Sequence, residues 1–168
     1  KGLYLRPLAE LTAKLIAGTE GNPQHPFFSP DGKWIGYFSG ANRKLKKIAI
    51  NGGAPVALCP VTSLLGAWWG EDNKIVYSQI NGDIMRISAN GGTPESLVKS
   101  KSEILLLPQI LPDGKSVLYT AATSTLQPRI MVQSLKSGES KELFAGGGAR
   151  YLPTGHIVYM LPNNDNVF

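Results

Sequence analysis

The sequence contains a single cysteine, Cys59, among its 168 residues. One cysteine excludes an intrachain disulfide, a Cys-x-x-Cys redox pair and a cysteine-rich zinc site. Because Cys59 follows an apolar stretch at residues 56–58, we expect a small buried side chain at the end of a strand rather than a reactive thiol.

Charged residues and long apolar runs are also scarce. Only 17% of the residues are charged, against about 25% in an ordinary domain, and the net charge is +5. The basic residues are spread along the chain except at residues 43–47, so we predict no nucleic-acid partner. The longest apolar run, around residues 104–107, is far shorter than the roughly 18 residues of a membrane helix, so we predict no membrane insertion of this segment.

Glycine and proline are abundant, with 19 Gly and 12 Pro, and a repeat organises them. The string FFSPDGKWIGYF at residues 27–38 reappears without gaps at residues 68–79 and 109–120, and more loosely at 150–161. Each copy starts 41 residues after the previous one (68 − 27, 109 − 68, 150 − 109). A period in this range is typical of repeat architectures, so it bears directly on the fold.

Each copy is interpreted as a hairpin: an apolar segment, a tight turn and a second apolar run. Asp31, Asp72 and Asp113 occupy the turns, where an aspartate bonds to its own backbone, so we interpret them as turn formers rather than catalytic acids. A second hairpin follows in each repeat, with Asn-Gly-Gly turns at residues 51–53 and 90–92. No stretch has the i, i+3, i+4 apolar spacing of a long helix, so the chain is predicted to be all β.

Four short antiparallel strands in about 40 residues predict the blade of a β-propeller. The predicted fold is an all-β propeller of four-stranded antiparallel blades, with about four blades in this chain. The ends are out of step with the blades, which gives three complete blades and two half blades. The predicted boundaries are a half blade at residues 1–24, repeats at 25–65, 66–106 and 107–147, and a half blade at 148–168.

Three ways of closing the ring follow from these half blades. They can pair within one chain as a strained four-bladed ring, pair between two chains as a homodimer closing an eight-bladed ring, or belong to a longer propeller. The chain begins at Lys1 rather than Met, so we expect that it was excised from a longer protein. We favour a piece that dimerises.

Particular residues carry a resemblance to a known family. The string FSPDGKW at residues 28–34, LPDGK at 111–115 and the Asn-Gly-Gly turns resemble the WD40-like repeats of TolB-type propellers, and the resemblance covers essentially the whole chain. It departs at residues 70–73 and at Thr154 and His156, where the turn residues change. The resemblance implies a bacterial, extracytoplasmic or periplasmic scaffold for proteins or peptides. Similar repeats form sensor domains of bacterial membrane-bound serine/threonine kinases.

Groups that could perform catalysis do not converge in the sequence. The only histidines, His25 and His156, are expected at opposite ends of an innermost strand, and no hydrolase, phosphate-loop or metalloprotease motif occurs. Residues 146–148 are expected to be a connector, and residues 163–166 a polar loop rather than a calcium site. We therefore expect no cofactor, no metal and no catalytic activity of this chain by itself.

Two series of large residues lie at matching repeat positions. The uniformly large series is expected to pack between blades and comprises Phe28, Trp69, Ile110 and Tyr151. The neighbouring series varies more, as expected either where symmetry is broken for a ligand or where the blades pack unequally, and comprises Phe27, Trp68, Gln109 and Arg150.

Propellers usually bind at one mouth of the central channel. The loops that reach this mouth are expected to end at His25, Gly66, Leu107 and Gly148, with Arg150 just inside and a basic second loop at residues 43–47. The candidate contacts for a peptide or an acidic partner are therefore His25, Arg43, Lys44, Trp68 and Arg150.

Two functions follow from the resemblance and the missing catalytic motifs. The first is a non-catalytic sensor or a protein-binding or peptide-binding scaffold. The alternative is the accessory propeller of a peptidase resembling prolyl oligopeptidase or tricorn protease, whose catalytic domain lies outside this sequence.

Overall fold

The computed structural model describes residues 1–80, 82–123 and 127–161, and in these residues the chain is all β. The polar loop predicted at residues 163–166 lies outside the described residues. The strands are β1 Tyr4–Leu5, β2 Lys14–Leu15, β3 Pro23–Phe28, β4 Trp34–Ser39, β5 Lys44–Ala49, β6 Val56–Pro60, β7 Leu64–Trp69, β8 Lys74–Gln79, β9 Ile84–Ser88, β10 Glu95–Val98, β11 Ile104–Ile110, β12 Ser116–Ala122, β13 Arg129–Ser134, β14 Ser140–Ala145, β15 Gly147–Tyr151 and β16 Ile157–Met160.

The strands form three complete blades and two half blades, as predicted. Each complete blade is a four-stranded antiparallel sheet in chain order: β3 to β6, β7 to β10, and β11 to β14. The pair β1–β2 and the pair β15–β16 form separate two-stranded sheets. The half blades therefore do not pair with each other in this chain, so the intrachain four-bladed closure is absent from the described residues and the sheets form an open arc.

The aspartates in the first turns support the backbone, which confirms their predicted role. Oδ1 of Asp31 accepts a hydrogen bond from the Lys33 amide at 3.1 Å, and Oδ1 of Asp113 accepts one from the Lys115 amide at 2.8 Å. This amide bond is the largest cause of the lowered pKa of Asp113, because it stabilises the carboxylate.

The first turns differ in length, which the gapless repeat did not predict. The Ser29 amide bonds to the Trp34 carbonyl at 2.9 Å, and the Leu111 amide bonds to the Ser116 carbonyl at the same distance. In the second blade the Gly70 amide bonds to the Lys74 carbonyl at 2.8 Å, and the fourth first turn, Leu152 to His156, has the same short form. These two turns are shorter by one residue, so their second strands are shifted by one residue relative to the ungapped repeat.

This shift decides which side chains face which neighbour. Phe27 pairs with Gly36, whereas the matching Trp68 pairs with Val76 rather than with Tyr77. In each second strand an Ile or Val lies two residues before a Tyr. Aligning the second strands on this motif gives the register that the structure shows. This motif faces the preceding blade each time and comprises Ile35 and Tyr37, Ile75 and Tyr77, Val117 and Tyr119, and Ile157 and Tyr159.

Apolar clusters between successive sheets form the core. In the first interface, Phe38 and Leu45 pack with Trp69, Ile75 and Tyr77 of the next blade. Cys59 belongs to this cluster, and its Sγ lies 3.5 Å from the Tyr77 hydroxyl. Cys59 is 5% exposed, which confirms the predicted burial, and this burial raises the pKa of its thiol.

One predicted core position is exposed. Trp69 is buried, whereas the matching Phe28 is 54% exposed. The half blade β1–β2 pairs in the manner of the third and fourth strands of a blade, so no inner strand covers Phe28. The expectation that all four residues of this series are core is therefore wrong for Phe28.

Every innermost strand carries a bulge at the same repeat position. His25, Gly66, Leu107 and Gly148 all have positive φ, at 50°, 146°, 52° and 67°. The pairing register shifts at these residues in all four inner strands. The expectation that loops end at these residues is wrong, because each of them lies inside a strand.

The pairing of Phe27 with Gly36 generates a stability prediction. A Cβ at residue 36 would overlap the Phe27 ring, so Gly36→Val should lower the free energy of unfolding by about 1–3 kcal/mol. Urea denaturation measures the effect. The control is Gly147→Ala, whose added Cβ would meet its nearest atom at 3.7 Å, and which should change stability far less. Equal effects of the two substitutions would contradict the packing argument.

Candidate functional site

The inner strands line a groove, which we call the channel groove. Its volume is about 520 Å³, and its lining residues are Pro26, Phe27, Phe28, Pro30, Ala67, Trp68, Trp69, Glu71 and Arg150. The rings of Phe27 and Trp69 meet edge to face, with centroids 6.3 Å apart. Because Pro30 and Glu71 belong to the first turns, the groove extends toward the end of the blades that carries these turns, not toward the mouth expected from the sequence.

Arg150 provides the positive charge of the channel groove. Its Nη1 donates hydrogen bonds to the carbonyl oxygens of Leu107 at 2.9 Å and Pro108 at 3.4 Å, both in the bulge of β11. Desolvation by burial lowers the pKa of Arg150. None of the described carboxylates forms an ion pair with it. A partly desolvated guanidinium held only by neutral carbonyls is suited to an anionic ligand.

Trp68 lines the channel groove and also a second groove beside it. Val76 occupies the place opposite Trp68 that Gly36 leaves open opposite Phe27. The Trp68 ring instead lies close to Gly70, where an added Cβ would be 2.8 Å from its Cζ3. The half-buried indole therefore lines the channel groove and also a second groove.

The second groove, which we call the interblade groove, lies between the second and third blades and reaches the last half blade. It encloses about 710 Å³ and is lined by Trp68, Glu71, Asp72, Lys74, Val76, Arg86, Gln109, Ile110, Leu111, Pro112, Gly114, Leu135, Tyr151 and Pro153. The sequence does not indicate this groove, because the shortened first turn of the second blade is hidden when the repeats are aligned without gaps.

The five candidate contacts do not form one site. Trp68 and Arg150 share the channel groove, which His25, Arg43 and Lys44 do not line. Arg43 and Lys44 lie where the second strand of the first blade leads into the third, at the opposite end from the first turns. The segment predicted as a basic loop is largely strand β5, and Lys47 lies with its Nζ 4.7 Å from the Trp34 ring centroid. The contact role of all five residues stays a prediction.

Gln109, the third residue of the variable series, anchors the last half blade. Its Nε2 donates to the Tyr151 carbonyl at 3.1 Å, and its Oε1 accepts from the Tyr151 amide at 2.9 Å. Gln109 thereby ties β11 to β15, which carries Arg150. This arrangement fixes the position of the guanidinium relative to the third blade.

His25 and His156 remain apart from the grooves. His25 is exposed in the bulge of β3, and Nδ1 of the exposed His156 lies 3.1 Å from the Thr154 hydroxyl. In residues 1–80, 82–123 and 127–161, no three His, Cys, Asp or Glu side chains are grouped to hold a metal ion. None of the described segments is a helix able to cross a membrane.

Solved structures show the same fold. TolB from Acinetobacter baumannii superimposes with a TM-score of 0.76 at 20% identity, over 96% of this chain and 43% of that protein. A putative TolB from Agrobacterium tumefaciens gives 0.75 at 21% identity, over 94% and 64%. A puromycin hydrolase mutant complexed with PGG gives 0.61 at 13% identity, over 83% and 27%.

These likenesses establish a TolB-type propeller fold, as the repeat motifs predicted. The chain spans less than two thirds of the length of either TolB structure. No protein-family model and no curated protein matches the sequence.

The anchoring by Gln109 can be tested through stability. Gln109→Leu leaves the Tyr151 amide and carbonyl without these partners, so the free energy of unfolding should fall by about 1–3 kcal/mol in urea denaturation. Gln133→Leu in β13 is the control, because Gln133 pairs in its sheet with Val117 and Ser140 rather than with β15. A Gln109→Leu protein as stable as the control would contradict the anchoring role.

Proposed function

We propose that this chain is a non-catalytic propeller scaffold that binds an acidic segment of a protein or peptide in the channel groove. The observation that carries the proposal is that Arg150 and Trp68 line the same groove of a TolB-type fold. One structural neighbour, from a nidogen/laminin complex, supports the general role because it belongs to a protein complex; it has a TM-score of 0.62 at 15% identity.

The groove offers two complementary interactions. Arg150 presents donors to a carboxylate, because Nε and Nη2 have no hydrogen-bond partner among the described residues. The aromatic wall of Phe27, Phe28 and Trp68 accepts apolar side chains next to that carboxylate. A peptide that alternates acidic and apolar residues satisfies both.

The setting of this scaffold is proposed from the TolB likeness and the repeat motifs. We place it outside the cytoplasm of a bacterium, as a sensor region or partner-docking region of a larger protein. A sensor domain attached to a serine/threonine kinase is the arrangement that the repeat motifs favour.

The second candidate is an accessory propeller of a peptidase, and the puromycin hydrolase likeness is the observation that favours it. In that case the channel groove would admit peptide substrates to a catalytic domain. The candidates differ in whether a hydrolase or a kinase domain adjoins this chain, which the full-length protein would reveal.

Peptide binding tests the first proposal. The probe is a fluorescein-labelled peptide of alternating Glu and Leu, with a Gln/Leu peptide for comparison, measured by fluorescence anisotropy. The Glu/Leu peptide should bind saturably and more tightly. Arg150→Met should weaken binding by roughly tenfold or more, the loss of a charge-assisted hydrogen bond.

The exposed Arg6→Met is the control for general charge, and Arg43→Met tests the opposite end of the blades. Both should bind as the unaltered protein does, whereas Trp68→Ala should bind more weakly. If Arg43→Met removes binding and Arg150→Met does not, the partner docks at the other end. If the Gln/Leu peptide binds equally well, the acidic specificity is wrong.

We also propose that two copies pair through their half blades in an eight-bladed ring. Strand β16 is the second strand of its blade, and β1 is the third strand of its blade. Each has an unpaired edge, and pairing these two edges would complete a four-stranded blade. The same ends expose apolar side chains, with Met160 67% and Tyr4 66% exposed. Edge pairing between copies would cover both.

Light scattering after size-exclusion chromatography tests this pairing. The expected mass is twice the 18.1 kDa of one chain, and Met160→Glu should return it to one chain by placing a charge at the edge. Leu8→Glu is the control, because Leu8 lies in the connection between β1 and β2 and is already 98% exposed. A single-chain mass at every concentration would contradict the dimer.

A further inference from the structure

The three complete blades differ in the side chain that begins the second strand. The first turns end at Trp34, Lys74 and Ser116 in the three blades, as their turn hydrogen bonds show. Each of these residues lies on the face that points to the following blade. The three interfaces are therefore built from a ring, an ammonium group and a hydroxyl at one position.

In the first interface, between the first and second blades, the Trp34 side chain fills this position. Trp34 packs against the cluster that includes Trp69 and Ile75 of the second blade. The Nζ of Lys47 lies 4.7 Å from the centroid of the Trp34 indole and 3.4 Å from Oδ1 of Asn90. A cation over an indole face is attractive, so this interface contains a lysine–tryptophan stack.

In the second interface the cation remains but the ring is missing. Arg86 pairs with Val76 in β8 as Lys47 pairs with Gly36 in β4, so Arg86 corresponds to Lys47. Nε of Arg86 is held by Glu95 at 2.7 Å, and its side chain is only 27% exposed. Lys74 replaces Trp34, and a side chain with no aromatic ring leaves the interblade groove open.

Part of the opposite wall is apolar, although Gln109 and Tyr151 also belong to the lining. Ile110, Leu111 and Leu135 of the third blade line the groove across from Arg86 and Lys74, with Val76 on the same side as the cations. A volume of about 710 Å³ lies within the 300–1,000 Å³ that is usual for small-molecule sites. An aliphatic wall facing a fixed guanidinium suits a flat aromatic ring, which presents its face to the cation and its edges to the methyl groups.

We propose that the interblade groove binds an aromatic side chain of a peptide partner, in the place that Trp34 fills in the first interface. This inference rests on the proposed peptide-binding function and gives its specificity. The carboxylate of the partner lies at Arg150 and its aromatic residue at Arg86, with Trp68 lining both grooves between them. The recognised segment thus combines an acidic and an aromatic residue.

Methyl NMR with N-acetyl-tryptophanamide as the probe tests the site directly. The methyl signals of Val76, Ile110, Leu111 and Leu135 should shift saturably, and N-acetyl-leucinamide should bind at least roughly threefold more weakly. Lys74→Trp should abolish the shifts, because its own ring then fills the groove. The control is Lys33→Trp, in which the indole replaces a lysine side chain that is 79% exposed and away from the groove.

Arg86→Met supplies an independent test that leaves the groove open. It should weaken the tryptophanamide probe roughly threefold or more while leaving the leucinamide probe unchanged, since only the aromatic face interacts with the cation. Equal binding of both probes would show an aliphatic site and overturn the proposal. Shifts that persist in Lys74→Trp, or that are absent from the unaltered protein, would also overturn it.

Arg150→Met separates this inference from the proposed function. If both are correct, this variant loses the Glu/Leu peptide and keeps the tryptophanamide shifts. If the unaltered protein binds the Glu/Leu peptide but not tryptophanamide, only the aromatic site is wrong. If it binds tryptophanamide at the interblade groove but not the acidic peptide, the channel proposal fails and the interblade site stands.

Discussion

The number of residues in the first turn of each blade is the constraint on which the remaining structure depends. Side chains alternate between the two faces of a strand, so one residue more or less in a turn exchanges the faces of the whole strand unless the pairing shifts with it. The short turn between Gly70 and Lys74 shifts the pairing, which keeps Ile75 and Tyr77 against the preceding blade. Core packing therefore selects the register.

The same shift determines what each blade offers to the next. Phe27 lies over Gly36 and meets Trp69, so the first interface closes tightly. In the second blade Val76 stands opposite Trp68, and Lys74 and Arg86 face the third blade in place of Trp34 and Lys47. The grooves are thus a result of breaking the repeat at facing positions while its buried tyrosines are retained.

Features that depend on local chemistry could be predicted from the sequence, and these included the hairpins, the turn aspartates, the blade count and the half blades. The shift in the second strands could not, because the turn residues themselves align without a gap. His25 and Leu107 gave no sign of the bulge, since positive φ is usually signalled by glycine. Phe28 is exposed because the half blade β1–β2 has no inner strand to cover it. The sequence predicted two residues of the channel groove, Trp68 and Arg150, because they lie at the same repeat position. It did not predict the interblade groove.

The alternation of long and short first turns also determines how far a change in the length of one turn extends along the chain. The tyrosines at 37, 77, 119 and 159 are spaced by 40, 42 and 40 residues (77 − 37, 119 − 77, 159 − 119), whereas Phe28, Trp69, Ile110 and Tyr151 remain 41 apart. A residue lost in one first turn is therefore regained before the next inner strand begins. A change of one residue in such a turn stays confined to one blade, so the surface between two blades can differ while the register of the other blades is kept.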